Sequence, residues 1–176
     1  MAPDVRRGGC FGRPSLYATL ALVALIRPKE GLDMRVADGA VFDRLKGLVG
    51  QWSGHRPDGR EVGVAYRLSA CDSVLVETWD LGPGVEALTV YHMDAGKLMV
   101  THFCPQGNQP RLRMSEAEGN RFDFEFQDAT GVRPGQAVQN DFWIEIGADG
   151  AITRGETYVQ GEATESETIR YARVNP

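Results

Sequence analysis

A period of two governs most of this chain after residue 50, because apolar and polar side chains alternate through one short segment after another. The clearest segment is 121–127, where three phenylalanines alternate with charged or polar residues. Side chains two residues apart on an extended strand point to the same face of a sheet, so each such segment predicts a strand with one apolar face. Short turn sequences, such as those at residues 94–96 and 148–150, separate the segments and are typical of sequential hairpins.

The number and spacing of these segments predict about ten strands. The expected fold class is all-β: a single antiparallel up-and-down β-barrel with a short N-terminal helix. Closure is expected because an open sheet of that size would leave two edges unpaired. The helix is predicted from residue 40, where Val41, Leu45 and Leu48 recur at steps of three and four. One long polar connector, residues 128–139, predicts either a lid over the barrel mouth or an inserted loop.

The first 39 residues are set apart from the predicted barrel, which spans residues 40–176. Three arginines precede an apolar run at residues 16–26, and together they resemble the basic and apolar parts of an export signal. The run is too short to span a bilayer, and no pair of small residues follows it as a cleavage site. We expect residues 1–39 to be an N-terminal extension, either a mis-called start or a degenerate export signal. The predicted location is cytoplasmic, with export to the periplasm as the alternative.

Charge and cysteine content narrow the classes of partner. The formal net charge is −5, and the acidic excess lies after Met34, which makes the barrel a poor match for nucleic acid. No basic amphipathic segment indicates a membrane-surface role, and no membrane span is expected. The three cysteines provide no disulfide framework. The predicted partner is therefore a small hydrophobic or amphipathic molecule, and the oligomeric state stays open.

Two strings of residues resemble those of the calycins, the group that contains lipocalins and fatty-acid-binding proteins. Gly50-Gln51-Trp52 is similar to the Gly-x-Trp opening of calycins, in which the Trp packs across the closed end of the barrel. Residues 101–111, Thr-His-Phe-Cys-Pro-Gln-Gly-Asn-Gln-Pro-Arg, resemble a group of bacterial calycin-like domains. A short helix followed by about ten strands is more similar to nitrobindin and its relatives than to lipocalins. The resemblance implies a barrel that binds a small apolar or amphipathic ligand in its lumen.

No cofactor is predicted from the residues themselves, and haem enters only through the resemblance. Nitrobindin-type proteins hold haem through a histidine late in the barrel, whereas the last histidine here is His102. That ligand is not carried over to any position, so haem is an alternative in which His102 or His92 is recruited. No metal site is predicted, because no fourth ligand stands at a spacing typical of zinc sites. The turn at residues 94–96 decides whether His92 lies on the same face as His102 and Cys104. A two-residue turn would put the two histidines on opposite faces, and a three-residue turn would put them together.

Polar and aromatic residues of the strands and of the 101–111 string are the candidate ligand-binding residues, because a barrel of this width is not filled by its own side chains. A charged residue on an otherwise apolar strand face is expected to face the lumen. These candidates are His102, Arg111, Gln109, Glu77, Trp79, Phe103 and Trp143. The three aromatic side chains are expected to enclose the apolar part of the ligand, and the four polar ones to fix its polar end. The resemblance implies an internal arginine that holds a ligand carboxylate, so an anionic ligand is one option. Arg111 is expected to face inward, although the pattern also allows Arg111 and Arg113 on the outer face.

Two other functions stay open at this point. The first is an enzyme on the same barrel, with His102 as general acid or base and Glu77 or Arg111 as its electrostatic partner. The second is a structural or interaction module with a fully packed core, which predicts no internal cavity of about 300 Å³ or more. The sequence contains no nucleotide-binding loop, nucleophile elbow or His-Glu-x-x-His motif that would favour a particular enzyme class.

Overall fold

The computed structural model describes residues 37–174 of the chain. The expectations for residues 1–36, including the start and export interpretations, fall outside the described residues. Within 37–174 no helix has the length and hydropathy that a membrane crossing requires.

Ten antiparallel strands follow one another around a closed barrel, and the first strand pairs with both the second and the tenth. The predicted fold class is confirmed. The elements are α1 (Asp38–Lys46), β1 (Gly50–His55), β2 (Glu61–Ser69), β3 (Val74–Asp80), β4 (Glu86–Asp94), β5 (Lys97–Phe103), β6 (Gln109–Glu118), β7 (Arg121–Thr130), β8 (Val138–Ile146), β9 (Ile152–Gln160) and β10 (Ala163–Arg173). Closure leaves no strand edge of the barrel unpaired.

Helix α1 covers one end of the barrel, which we call the closed end. Its buried residues Val41, Phe42 and Leu45 lie on one face and join the core of the barrel. The side chain of Asp38 accepts a hydrogen bond from the backbone N–H of Leu98 at 2.7 Å, which attaches the start of the helix to β5. The indole of Trp52 is buried beside the helix and donates to the carbonyl of Leu48 at 2.8 Å. The helix therefore begins two residues earlier than predicted and fixes the closed end.

Aromatic side chains fill the middle of the barrel. The rings of Phe124 and Phe142 are stacked, with centroids 4.5 Å apart. The ring of Tyr91 meets both edge-on, at 6.1 and 6.2 Å. Offset-stacked and edge-to-face arrangements are the favoured geometries for aromatic rings. These three buried rings therefore pack the middle of the lumen.

The turn between β4 and β5 has two residues, Ala95 and Gly96, and both have positive φ angles of 47° and 82°. That backbone is typical of a tight two-residue hairpin whose twist matches the flanking strands. The resulting register pairs Thr89 with His102 and His92 with Met99. Strand alternation then points His102 into the lumen and His92 outward. Of the two registers left open by the sequence, the structure has the one that separates the histidines.

The connector between β7 and β8 spans residues 131–137, because both strands extend further than predicted. It lies at the mouth, against the turn between β5 and β6. Asn108 donates from Nδ2 to the carbonyl of Ala137 at 3.0 Å, and Gln136 donates from Nε2 to the carbonyl of Gln106 at 2.7 Å. These bonds join the two loops into one rim on this side of the barrel.

Candidate functional site

A cavity of about 330 Å³ opens at the end of the barrel opposite α1, and we call it the mouth cavity. Its apolar wall consists of Trp79, Leu81, Ala87, Pro105, Ala137 and Tyr158. Ligand pockets range from roughly 300 to 1,000 Å³. The mouth cavity lies near the lower limit of that range and suits a small ligand.

Strand register brings the wall together. Trp79 of β3 pairs with Ala87 of β4, so both side chains point into the lumen side by side. The ring of Trp79 also meets the ring of Tyr171 on β10 edge-on, with centroids 5.9 Å apart. The indole is therefore held between strands that are distant in sequence, and it forms a fixed apolar surface.

His102 on β5 provides a neutral polar group in the cavity wall. Its side chain is only 4% exposed, and its Nδ1 lies 3.1 Å from the hydroxyl of Thr89. Burial, reinforced by the charge of Arg154, lowers the pKa of His102 from 6.5 to about 3. The imidazole is therefore uncharged near neutral pH, and Nε2 is the ring nitrogen left for a ligand.

Three glutamates and one arginine supply the charge at the mouth cavity. Arg56 forms an ion pair with Glu167 at 2.7 Å, and Glu165 lies exposed on the rim. Glu156 lies deeper and accepts a hydrogen bond from Nε2 of Gln139 at 2.9 Å. Burial raises the pKa of the Glu156 carboxyl, and the nearby Arg154 only partly offsets this effect. The cavity thus has an excess of acidic groups.

A buried ion pair forms the floor beneath the cavity. Nη1 of Arg154 lies 3.1 Å from both carboxylate oxygens of Glu77. The hydroxyl of Tyr91 donates to Glu77 and accepts from Nη1 of Arg154 at 2.9 Å. The two charged side chains are 1% and 0% exposed. Burial raises the pKa of Glu77, because it outweighs the attraction of Arg154 and the hydrogen bond from Tyr91.

Two aromatic rings enclose the guanidinium of Arg154. Its central carbon lies 4.1 Å from the ring centroid of Phe142 and 5.0 Å from that of Trp79. Nη2 of Arg154 also lies 3.6 Å from Glu156, which links the floor to the wall of the mouth cavity. Cation–π contacts are strongest where the cation is desolvated, as it is here. The arginine is thus held by one carboxylate, one phenol and two rings.

Several buried polar atoms near the floor have no hydrogen-bond partner within residues 37–174. They include Nε and Nη2 of Arg154, Nε1 of Trp79, Oε1 of Gln139 and the hydroxyl of Tyr171. Buried polar groups in proteins are almost always hydrogen-bonded to protein or to ordered water. Each of these atoms is enclosed by protein, so an ordered water is the partner that would satisfy it.

The structure brings three of the seven candidate residues together. His102 and Trp79 line the mouth cavity, and Glu77 lies in the floor below them. Glu77 and Trp79 were selected as members of one largely apolar strand face, and both are buried in the structure. That these three residues bind a ligand stays a prediction.

The other four candidates lie outside the lumen, and the expectation that they line it is wrong. Arg111 is on the outer face, where it forms an ion pair with Asp128, because its neighbour Leu112 points inward. Phe103 follows the inward His102 and is 44% exposed. The four are Arg111, Gln109, Phe103 and Trp143.

The side chains of Trp143 and Gln109 make contacts outside the mouth cavity. The indole of Trp143 covers Gly155 on the outer face and stacks against the guanidinium of Arg121, whose central carbon is 4.0 Å from the ring. Gln109 donates from Nε2 to the carbonyl of Gly107 and accepts from the hydroxyl of Thr130, both at 2.9 Å. It therefore stabilises the rim and does not enter the cavity.

Strand β9 contains the site residues that the sequence analysis missed. Ile152, Arg154, Glu156 and Tyr158 occupy alternate positions, and their pairing with β8 and β10 points them inward. Arg154 and Glu156 are charged residues on a face that begins with a buried isoleucine. Glu77 was selected as a charged residue on an otherwise apolar strand face, and the same criterion would have selected Arg154 and Glu156.

Comparisons with models of protein families and with curated proteins find no match for this chain. The function is therefore inferred from the geometry of the site.

Haem, which the calycin resemblance introduced, fits these residues poorly. Nε2 of His102 is open and Nδ1 is held by Thr89, an arrangement typical of metal-binding histidines. The mouth cavity, however, has only about 330 Å³ and presents three carboxylates where haem would bring two of its own. Haem stays an alternative that only the resemblance implies.

The buried ion pair predicts a strong coupling between Arg154 and Glu77. Changing either residue alone, as Arg154→Met or Glu77→Gln, leaves one buried charge without its partner and is expected to cost about 3–5 kcal/mol of unfolding free energy. The double variant removes both charges, so it should be more stable than either single variant. Urea denaturation of the four proteins measures this cycle. Additive losses would show that the two side chains do not stabilise each other.

The lowered pKa of His102 predicts a particular pH dependence of stability. Below pH 6.5 the unfolded chain binds a proton at this imidazole, while the folded chain does not until about pH 3. Stability is therefore lost as the pH falls through this window, by about 2 kcal/mol between pH 7.5 and pH 5. His102→Gln should lose that part of the pH dependence in urea denaturation. Parallel pH profiles for the two proteins would contradict the assignment.

Proposed function

We propose that this protein binds a small amphipathic molecule in the mouth cavity. The observation that carries the proposal is the cavity of about 330 Å³, which combines an apolar wall with a few convergent polar groups. That combination is the usual composition of a small-molecule site. A module with a fully packed core is expected to lack such a cavity.

The placement of polar groups suggests how the ligand would lie. Its apolar part would pack against Trp79, Leu81 and Ala87 on one side of the cavity. Its polar end would reach Nε2 of the buried His102 and the half-buried carboxylate of Glu156, because both side chains line the cavity.

An anionic ligand has less support in this arrangement than the sequence suggested. Arg111, which was expected to hold a carboxylate, lies on the outer face with Asp128. The internal arginine is Arg154, whose charge is neutralised by Glu77 and whose guanidinium is covered by Trp79 and Phe142. We therefore propose a ligand that is neutral or positively charged at its polar end.

Relationship to the calycin group is part of the same proposal. A closed barrel of ten antiparallel strands is consistent with a calycin-like fold, and Trp52 of the Gly-x-Trp string is buried beside α1 at the closed end. The strings at residues 50–52 and 101–111 suggest kinship with nitrobindin and with bacterial calycin-like domains. Fold alone does not establish a function, so the cavity and not the resemblance supports binding.

The enzyme alternative has no observation in its favour. With a pKa of about 3, His102 is a weak base near neutral pH. One of its expected partners, Arg111, lies on the outer face, and the other, Glu77, is bound to Arg154 and Tyr91. Enzymatic activity stays a hypothesis from the sequence.

Binding of benzyl alcohol, followed by ligand-observed NMR, tests the proposal. This neutral amphipathic probe is expected to bind saturably, with a dissociation constant of about 1 mM for a ligand of this size. Ala87→Trp places a bulky ring in the cavity wall and should abolish binding. Ala87→Leu, a smaller change, should weaken it if the larger variant does not fold.

The matched control is Ala65→Trp, because Ala65 lies next to the inward-facing Val64 on β2 and is absent from the cavity wall. Its affinity for benzyl alcohol should equal that of the unmodified protein. Equal binding by Ala87→Trp would place the probe elsewhere, and an absence of saturable binding to the unmodified protein would contradict the proposed function.

A further inference from the structure

We propose that the mouth cavity selects ligands whose polar end is a protonated amine, with the ammonium group held by Glu156. This inference rests on the proposed function and specifies the chemical class of its ligand. The site would take a small apolar body, such as a single aromatic ring, attached to a primary ammonium group.

The distribution of charge around the cavity is the first argument. Of the three glutamates in its wall, Glu167 already has a cationic partner in Arg56 at 2.7 Å. Glu165 lies exposed on the rim, where water weakens its interactions. Glu156 is the least exposed of the three, with 15% of its side chain exposed against 21% for Glu167. It is therefore the group whose interaction with a cation would be least weakened by water.

The contacts of Glu156 leave part of the carboxylate free. Oε2 accepts from Gln139 at 2.9 Å and lies 3.6 Å from Nη2 of Arg154. Arg154 is itself committed to Glu77 at 3.1 Å. A carboxylate can accept several hydrogen bonds, and those from charged donors are about twice as strong as neutral ones. Oε1 of Glu156 is thus available for an ammonium group.

His102 supplies a second and independent observation. Its side chain is 96% buried, it lines the same cavity, and Nδ1 is bound to Thr89 while Nε2 has no partner within residues 37–174. Because the imidazole is uncharged, it does not repel a cation. When Nδ1 donates to Thr89, Nε2 is an acceptor, which is the role that an ammonium donor needs.

The charges around the cavity would disfavour a negatively charged ligand. It would enter a cavity with three carboxylates. The two nearest arginines, Arg56 and Arg154, each have a carboxylate partner, and the Nε and Nη2 donors that Arg154 leaves without a hydrogen bond are buried beneath the cavity wall. Burying a charge without a partner is strongly unfavourable. A neutral ligand would avoid this penalty but would lack the charge-assisted hydrogen bond to Glu156. The expected order of affinity is therefore amine, then alcohol, then carboxylate.

Three probes of nearly equal size test this order: benzylamine, benzyl alcohol and benzoate. We expect benzylamine to bind the unmodified protein about tenfold more tightly than benzyl alcohol, and benzoate to bind at least about tenfold more weakly than the alcohol. Titrations at pH 7.5 and low salt, followed by calorimetry or ligand-observed NMR, measure the three dissociation constants. This order is read from the unmodified protein and needs no variant.

The variant Glu156→Gln tests whether Glu156 causes the preference for the amine. The substitution keeps the shape of the side chain and removes its charge, so benzylamine should bind this variant within about threefold of benzyl alcohol. The matched control is Glu118→Gln, which removes the same charge from an exposed position at the far end of β6. It should retain the tenfold preference for the amine.

The possible failures are distinct. Benzyl alcohol or benzoate binding as tightly as benzylamine would overturn the inference and leave the binding function in place. A preference for benzylamine that persists in Glu156→Gln would overturn the assignment to Glu156. An absence of binding by all three probes would count against the proposed function itself.

Discussion

The ion pair between Arg154 and Glu77 is the interaction on which the rest of the lumen depends. It joins β9 to β3, which belong to distant parts of the sequence and are not neighbours in the barrel. Removing two such charges from water is costly, and the cost is offset only where geometry and additional partners are good. Here Tyr91 bonds to both members, and the rings of Phe142 and Trp79 cover the guanidinium. The pair therefore separates the packed middle of the barrel from the mouth cavity.

The charge of this floor also determines the chemistry of the cavity above it. Burial and the nearby Arg154 keep His102 uncharged, so the wall presents a neutral ring nitrogen. Burial raises the pKa of Glu156, whose ionised form would be favoured by a bound cation. The cavity thus offers a neutral acceptor and a carboxylate at the depth where an amphipathic ligand would place its polar end. The preference of the cavity for one class of ligand would therefore depend on how deeply His102 and Glu156 are buried as well as on which residues they are.

The alternation of apolar and polar residues and the short turn sequences predicted the strands, their order and the inward position of some residues. These features could be read from the sequence because each depends on only a few neighbouring residues. Glu77, Trp79 and His102 were found in this way. Arg111 was misplaced because the resemblance of its string was given more weight than the apolar Leu112 beside it, which takes the inward position. Arg154 could have been selected by the same alternation. Its pairing with Glu77 could not, since that contact exists only after the barrel closes.

The three tryptophans of the chain provide the most direct measurement of where a ligand binds. Trp79 lies in the wall of the mouth cavity, Trp52 at the closed end and Trp143 on the outer face. Their indole N–H signals are to be followed by ¹H–¹⁵N NMR while benzyl alcohol is added. Binding in the mouth cavity predicts a saturable shift of the Trp79 signal, with those of Trp52 and Trp143 unchanged. A shift of either of those two signals with Trp79 unchanged would contradict the account.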